Sequence, residues 1–266
     1  IFRWEYKFSI QFNKRLTKAH PLKVEKTEIL ISNWDQLMIK VVAFDLDDCL
    51  FNASLLVEKA REASVHMMIQ YGLPIEEVEA KKLLNEIVDE FGSNSESHLD
   101  LFMTRLQNHP KYRLDPKYNI NKYVAAGVIG YHREKVQHFK PFKDVISTLE
   151  EIRTMGIKTA IITDGTPKKQ YEKILRLKLE DLFDQIVISD EVAIRKPNYL
   201  LFSEFVETLG IKPNEMIYVG DRVDKDIAPA KKVGIVSILI HRGTKYDPIL
   251  TKQQFDIKPD FNINSL

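Results

Sequence analysis

Five short apolar runs set the limits on what this chain can fold into. They are KVVAFD (40–45), KTAIIT (158–163), QIVIS (185–189), MIYVG (216–220) and IVSILI (235–240). Each is rich in Val and Ile and continuous rather than alternating, as strands buried on both faces of a parallel sheet require. Helical patterns over 142–155, 167–178, 198–209 and 224–233 lie between them. Gly156, Gly210 and Gly234 stand where a helix stops before the next element begins. Strand and helix in steady alternation predict an α/β fold with a doubly wound, Rossmann-like parallel sheet. DFNIN (260–264) is a candidate sixth strand.

The alternation breaks once. From Asn52 to about Gln137 no strand pattern occurs, and three stretches (54–72, 75–92 and 119–137) carry apolar residues at helical spacing. The expected organisation is a core domain of residues 38–51 and 138–266, with a helical cap domain, 52–137, inserted after the first strand. Residues 1–37 are basic and aromatic but lack the apolar run and cleavage site of a signal peptide. They read as an added strand or hairpin, or, the reading we favour, as an extension or sequence upstream of the natural start. No function is assigned to them.

The overall balance excludes several partners. A formal net charge of +1 gives no electrostatic reason to expect nucleic acid or an anionic membrane. No apolar run approaches the roughly 18 residues of a membrane span. The single cysteine, Cys49, rules out an internal disulfide and fits a reducing, cytoplasmic setting. Nothing in the sequence separates a monomer from a homodimer.

Polar residues then collect where a buried sheet has no use for them. The first strand runs into Asp45, Asp47 and Asp48, and the next three end in Thr163-Asp164, Ser189-Asp190 and Asp221. One such ending is ordinary turn chemistry. Several on the carboxyl edge of one parallel sheet, where open α/β folds bind ligands, make a candidate site. Lys196 supplies a cation on a loop before a helix, and Pro197 and Asn198 mark the turn. Alone it would be a solvated lysine; beside an acidic edge and a helix start it suggests an anionic ligand.

DLDDCL (45–50), IITDG (161–165), Lys196 and GDRVDKD (220–226) resemble, in order, the four motifs of the haloacid dehalogenase superfamily: hhhDxDx, hhhT/S, a lysine and GDxxxxD. The resemblance runs from Met38 to Leu266, and the insertion resembles the C1 cap of subfamily I. The wider sequence, including AAGVIGYHREK (125–135), is similar to archaeal members that dephosphorylate small metabolites, glyceraldehyde 3-phosphate among them.

The resemblance implies a Mg²⁺-dependent phosphatase acting on a small phosphorylated metabolite through an aspartyl-phosphate. Asp45 would be the nucleophile and a Mg²⁺ ligand. Asp221 and the main-chain carbonyl of Asp47 would be further ligands, and Asp226, or Asp224, would bind metal-bound water or orient the site. Asp47 would protonate the leaving alkoxide and later activate water. Thr163 and Lys196 would hold the phosphoryl oxygens, with Leu46, Asp164 and Gly165 completing the cradle.

Two positions depart from the pattern. Cys49 stands where Thr or Val is usual, as a packed residue or an oxidant-sensitive thiol, and Asp48 replaces a common Gly, where it caps the turn. His66, His98, His132, His138 and His241 show no metal-ligand spacing, and Met67, Met68, Phe102 and Met103 read as packing. The run 168–181 reads as a solvated helix face. Rival chemistries within the superfamily are a 2-haloacid dehalogenase, against which Asp47 argues because a halide needs no proton, and a phosphomutase. A phosphonatase would need a reactive cap lysine, for which Lys59, Lys81 and Lys82 are unmarked. A phospho-accepting receiver-like protein without turnover is the alternative of another class; its acceptor Asp would lie on a later strand and no large cap would be present.

Overall fold

A computed structural model describes residues 38–92, 97–112, 114–115 and 117–266. The readings made for residues 1–37 lie outside them. The described chain falls into two compact units, residues 38–52 with Lys140–Leu266, and Ala53–Phe139.

The first unit is built on one sheet of six parallel strands, β1 (Val41–Phe44), β2 (Lys158–Thr163), β3 (Gln185–Ile188), β4 (Met216–Gly220), β5 (Val236–Ile240) and β6 (Phe261–Ile263). Their order is β3-β2-β1-β4-β5-β6. The chain therefore winds outward from β1 in one direction and then crosses back to wind in the other, the doubly wound arrangement. β1, β2, β4 and β5 are almost wholly buried, but β3 is not: Gln185 is exposed and Ile186 and Val187 are half-buried. Its place at the sheet edge accounts for the difference, because its apolar residues meet a neighbour on one side only. On one face Val41, Ala43, Ala160, Ile162, Met216 and Tyr218 pack against Leu201, Phe202, Phe205 and Val206 of a helix.

The second unit contains four helices, α1 (Ala53–Gln70), α2 (Glu77–Phe91), α3 (His98–Gln107) and α4 (Ile120–His138), one more than the periodicity alone marked. Met68, Phe102 and Met103 lie in its core, as their apolar spacing suggests. Gly130 lets the backbones of α1 and α4 approach: a Cβ there would collide with the main chain at Ala63. The glycines of AAGVIGYHREK thus have a packing explanation.

Among the described residues, the α-helices of six residues or more in the first unit are α5 (Val145–Thr154), α6 (Pro167–Leu177), α7 (Leu200–Leu209) and α8 (Ala228–Val233). The helix expected over 224–233 is replaced at its start by a wider π-type turn, Val223–Ile227. Asp226 explains the widening in part, since its carboxylate reaches back to accept the Arg222 main-chain N–H at 3.0 Å. Among the described residues no helix is long and apolar enough to cross a membrane.

Candidate active site

β1 lies between β2 and β4, with Phe44 opposite Ile161 on one side and Val219 on the other. The residues that follow each strand therefore emerge together at the carboxyl edge. Asp45 continues the ladder by donating its N–H to the Val219 carbonyl at 2.9 Å. Asp45, Asp221 and Asp226 are all buried, and each offers one carboxylate oxygen within 4.8 Å of the others.

Lys196 enters this group from its loop. Its Nζ lies 2.6 Å from Asp45 Oδ1 and 2.7 Å from Asp226 Oδ1, and donates to the Tyr218 hydroxyl at 3.2 Å. One ammonium faces three buried carboxyls, so the charges do not balance. Burial, opposed by Lys196 and reinforced by Asp226, pushes the Asp45 carboxyl up to about 7. Burial and then Asp226, Asp45 and Asp48 hold Asp221 well above the usual carboxylate range. Burial alone would lower Lys196, but Asp226 and Asp45 outweigh it and keep the ammonium charged.

The donor set tests the expected metal. It is all oxygen, which suits a hard divalent cation. No hydrogen bond or ion pair from a described residue reaches the Asp221 carboxylate, whereas Asp226 is occupied by Lys196, Tyr218 and the Arg222 N–H. A buried carboxylate left in that condition is costly without a cation. The residues fit Mg²⁺. Asp224 stands apart, paired with the Arg222 guanidinium at 3.0 and 2.7 Å.

The glycine of GDRVDKD has a steric reason. A Cβ on Gly220 would stand 2.5 Å from Cβ and Cγ of Asp226, so only a bare backbone lets that carboxylate pack behind the strand end.

The other predicted residues take varied positions. Thr163 is buried at the end of β2. Asp164 accepts the Lys196 main-chain N–H at 3.0 Å and so pins the lysine loop. The Gly165 N–H donates to Ser189 Oγ at 3.0 Å, and Ser189 donates to Asp190, which Arg195 holds at 2.7 and 2.8 Å. Asp164 and Asp190 thus brace loops. Leu46 is fully buried, and its carbonyl accepts from Leu50 N–H at 3.0 Å, closing the turn that carries Asp47. Asp48 has φ 59°, the left-handed region in which Asp is tolerated and Gly is common. Cys49 is buried with Sγ 3.7 Å from the Val219 carbonyl, and burial pushes the thiol well above its ordinary range. An oxidant-sensitive thiolate needs access and a lowered pKa, and Cys49 has neither. His241 is bonded to Asp247 and Asn262, each at 3.0 Å, and Lys59 and Lys81 pair with Glu62 and Glu77.

Three residues of the site carried no mark in the sequence reading. Lys173 of α6 holds Asp47 Oδ1 and Oδ2 at 2.8 and 2.6 Å. Gln170, one turn earlier, is buried. The run 168–181 is accordingly not a solvated face: Gln170, Ile174 and Leu177 turn inward at helical spacing and carry Lys173 to the edge of the site. Tyr218 puts a hydroxyl 3.1 Å from the Ile162 carbonyl and 3.2 Å from Asp226 Oδ1. A tyrosine amid the buried apolar residues of MIYVG is the one signal that could have found it.

A doubly wound sheet whose carboxyl edge gathers three buried aspartates, a lysine and a further aspartate on a tight turn has the layout of an α/β enzyme with its site at the strand ends. The sequence profile of the haloacid dehalogenase-like hydrolases matches residues 42–240. A glyceraldehyde 3-phosphate phosphatase of Methanopyrus kandleri is 42% identical over 229 residues, 85% of this chain and 94% of that one. Among solved structures, a phosphatase of the family from Thermococcus onnurineus is 25% identical with a TM-score of 0.54, covering 85% of this chain and 94% of that one. A 2-haloacid dehalogenase from Pseudomonas syringae shares the fold at 23% identity and a TM-score of 0.53, covering 86% and 95%. This chain belongs to the haloacid dehalogenase-like hydrolases.

Proposed function

We propose that this chain is a Mg²⁺-dependent phosphatase whose substrate is a small phosphorylated metabolite, with glyceraldehyde 3-phosphate, named for its relative, as the first candidate. It is an enzyme of phosphoric monoester hydrolysis. The observation that carries the assignment of roles is the Lys196 ammonium between Asp45 and Asp226, with Asp47 two residues beyond Asp45. Dehalogenases share this fold, but a halide leaves without a proton, whereas an alkoxide needs one. The carboxyl of Asp47 supports the phosphatase.

In this reading Asp45 attacks phosphorus in line while the ester P–O bond breaks, and the departing alkoxide takes a proton from Asp47. Asp47 then draws a proton from water, whose oxygen attacks phosphorus, releases inorganic phosphate and restores Asp45. Lys196 steadies Asp45 and faces the negative charge of the transferring group, and Thr163 donates to one of its oxygens. Mg²⁺ held by Asp45, Asp221 and the main-chain carbonyl of Asp47, beside Asp226, would relieve the repulsion between the phosphate and the anionic nucleophile. Leu46, Asp164 and Gly165 shape the loops around the phosphoryl group. The helical unit is assigned the selection of substrate, and the chain's one cysteine, Cys49, buried in the first unit, supports a cytoplasmic setting.

The test is phosphate release from triose, sugar, glycolate and nucleotide monophosphates, in Mg²⁺ and in EDTA, by the wild type and Asp45→Asn. Release that needs Mg²⁺ and vanishes in Asp45→Asn is expected. Halide freed from a 2-haloacid, with no phosphate released, would overturn the reading.

A further inference from the structure

A hydroxyl can accept as well as donate, so Thr163 serves a phosphoryl oxygen only if its proton is aimed that way. Thr163 lies at the end of β2 with Oγ1 buried beneath the first turns of α6. There the Gln170 side-chain nitrogen donates to Thr163 Oγ1 at 2.7 Å and to the Asp164 main-chain carbonyl at 3.0 Å. The two contacts settle which end of the amide faces inward. A carbonyl oxygen only accepts, so the NH₂ end must meet Asp164, and its second proton then meets Thr163. Thr163 Oγ1 is thereby an acceptor toward Gln170, and its own proton has to point elsewhere.

We infer that Gln170 is a positioning residue of the hydrolytic reaction: by spending one lone pair of the Thr163 hydroxyl, it turns that hydroxyl into a dedicated donor for the phosphoryl group. The inference rests on the reading that Thr163 contacts substrate. Gln170 is 1% exposed and held by the helix, with its own main-chain N–H bonded to Thr166 at 3.1 Å, so the amide is fixed before any ligand arrives. Preorganised donors cost no reorientation when charge develops. The sequence hides this, because a glutamine among lysines on a helix reads as surface.

The experiment is a double-mutant cycle on the Mg²⁺-loaded enzyme, read as kcat/KM and as competitive inhibition by inorganic phosphate. Thr163→Val is expected to weaken both by about 10- to 100-fold, the worth of a hydrogen bond to a charged group. Gln170→Met, similar in size and without amide protons, is expected to weaken both by about 5- to 10-fold in the wild type and by less than about twofold on top of Thr163→Val. Thr163→Ser, which keeps the hydroxyl, stays sensitive to Gln170→Met and keeps the cycle readable if Thr163→Val does not fold. A merely structural glutamine would cost the same in either background. Wild-type behaviour of Thr163→Val would remove the role of Thr163 itself. Impaired Thr163→Val with a silent or fully additive Gln170→Met would overturn the role of Gln170 alone.

Discussion

Lys173 reaches from the second turn of α6 to take both carboxylate oxygens of Asp47, at 2.8 and 2.6 Å. The pair is about a quarter to a third exposed, so as a contribution to folding it is worth under about 1 kcal/mol. Its effect on reaction geometry is expected to be larger, because it sets the rotamer of the carboxyl assigned to proton transfer. Lys173→Met is expected to lower kcat about 10-fold, a fraction of what general acid–base catalysis supplies, with little change in melting temperature. Lys173→Arg should recover part of the rate. Steady-state kinetics beside thermal melting checks this; equal kcat in all three proteins would remove the role.

Asp221 gives a metal prediction that does not depend on turnover. Because no described residue pairs with its carboxylate, Mg²⁺ should raise the melting temperature of the wild type, by the equivalent of about 2–3 kcal/mol at a hundred times the dissociation constant. Asp221→Asn is expected to lose most of that rise and to melt above the wild type in EDTA, since one member of a repelling trio is gone. A wild type that melts identically in Mg²⁺ and EDTA would count against the site.

Gly220 is the position at which the smallest change should do the most. A methyl group there would stand 2.5 Å from Asp226, and that carboxylate holds Lys196. Gly220→Ala is expected to cost about 1–3 kcal/mol by overpacking and to lower kcat/KM by well over tenfold as Lys196 loses one anchor. Denaturant melts and kinetics measure the two effects separately.

A pH effect is expected from Asp144, which holds Arg242, the residue of the segment after β5 that bonds the turn carrying the aspartates. Arg242 donates to Asp144 at 2.8 Å and to the Cys49 carbonyl at 3.1 Å, and stacks 4.4 Å over the Phe142 ring. Burial alone would raise the Asp144 carboxyl; the bonds from Arg242 and the Leu266 main-chain N–H outweigh it and hold it below the usual carboxylate range. A carboxyl depressed by folding stabilises above its unfolded pKa, and that stability is lost as pH falls through the folded value. Asp144→Asn should therefore be less stable than the wild type by about 1–3 kcal/mol at neutral pH. The gap should narrow below about pH 4. Urea melts at pH 7 and pH 3 test the sign; a gap that widens in acid would contradict it.

What the sequence by itself determined is local. The period of its apolar runs placed β2 and β4 at their observed bounds and the other strands to within a residue, because short Val- and Ile-rich segments have one stable use in a doubly wound sheet. A strand ending in Asp and a glycine before Asp221 could likewise be read from order and spacing, since parallel strands bring their carboxyl ends to one edge. Tertiary structure decided which of those polar ends meet. Asp45, Asp221 and Asp226 converge, while Asp164 and Asp190 turn to brace loops. It also decided that β3 is half-exposed, and that Gln170, Lys173 and Tyr218 belong to the site. Lys173 and Asp47 are 126 residues apart in sequence. Whether two such side chains touch depends on how a helix is rotated against a sheet, and that rotation is set by the packing of Ile174 and Leu177 rather than by anything local to either charge.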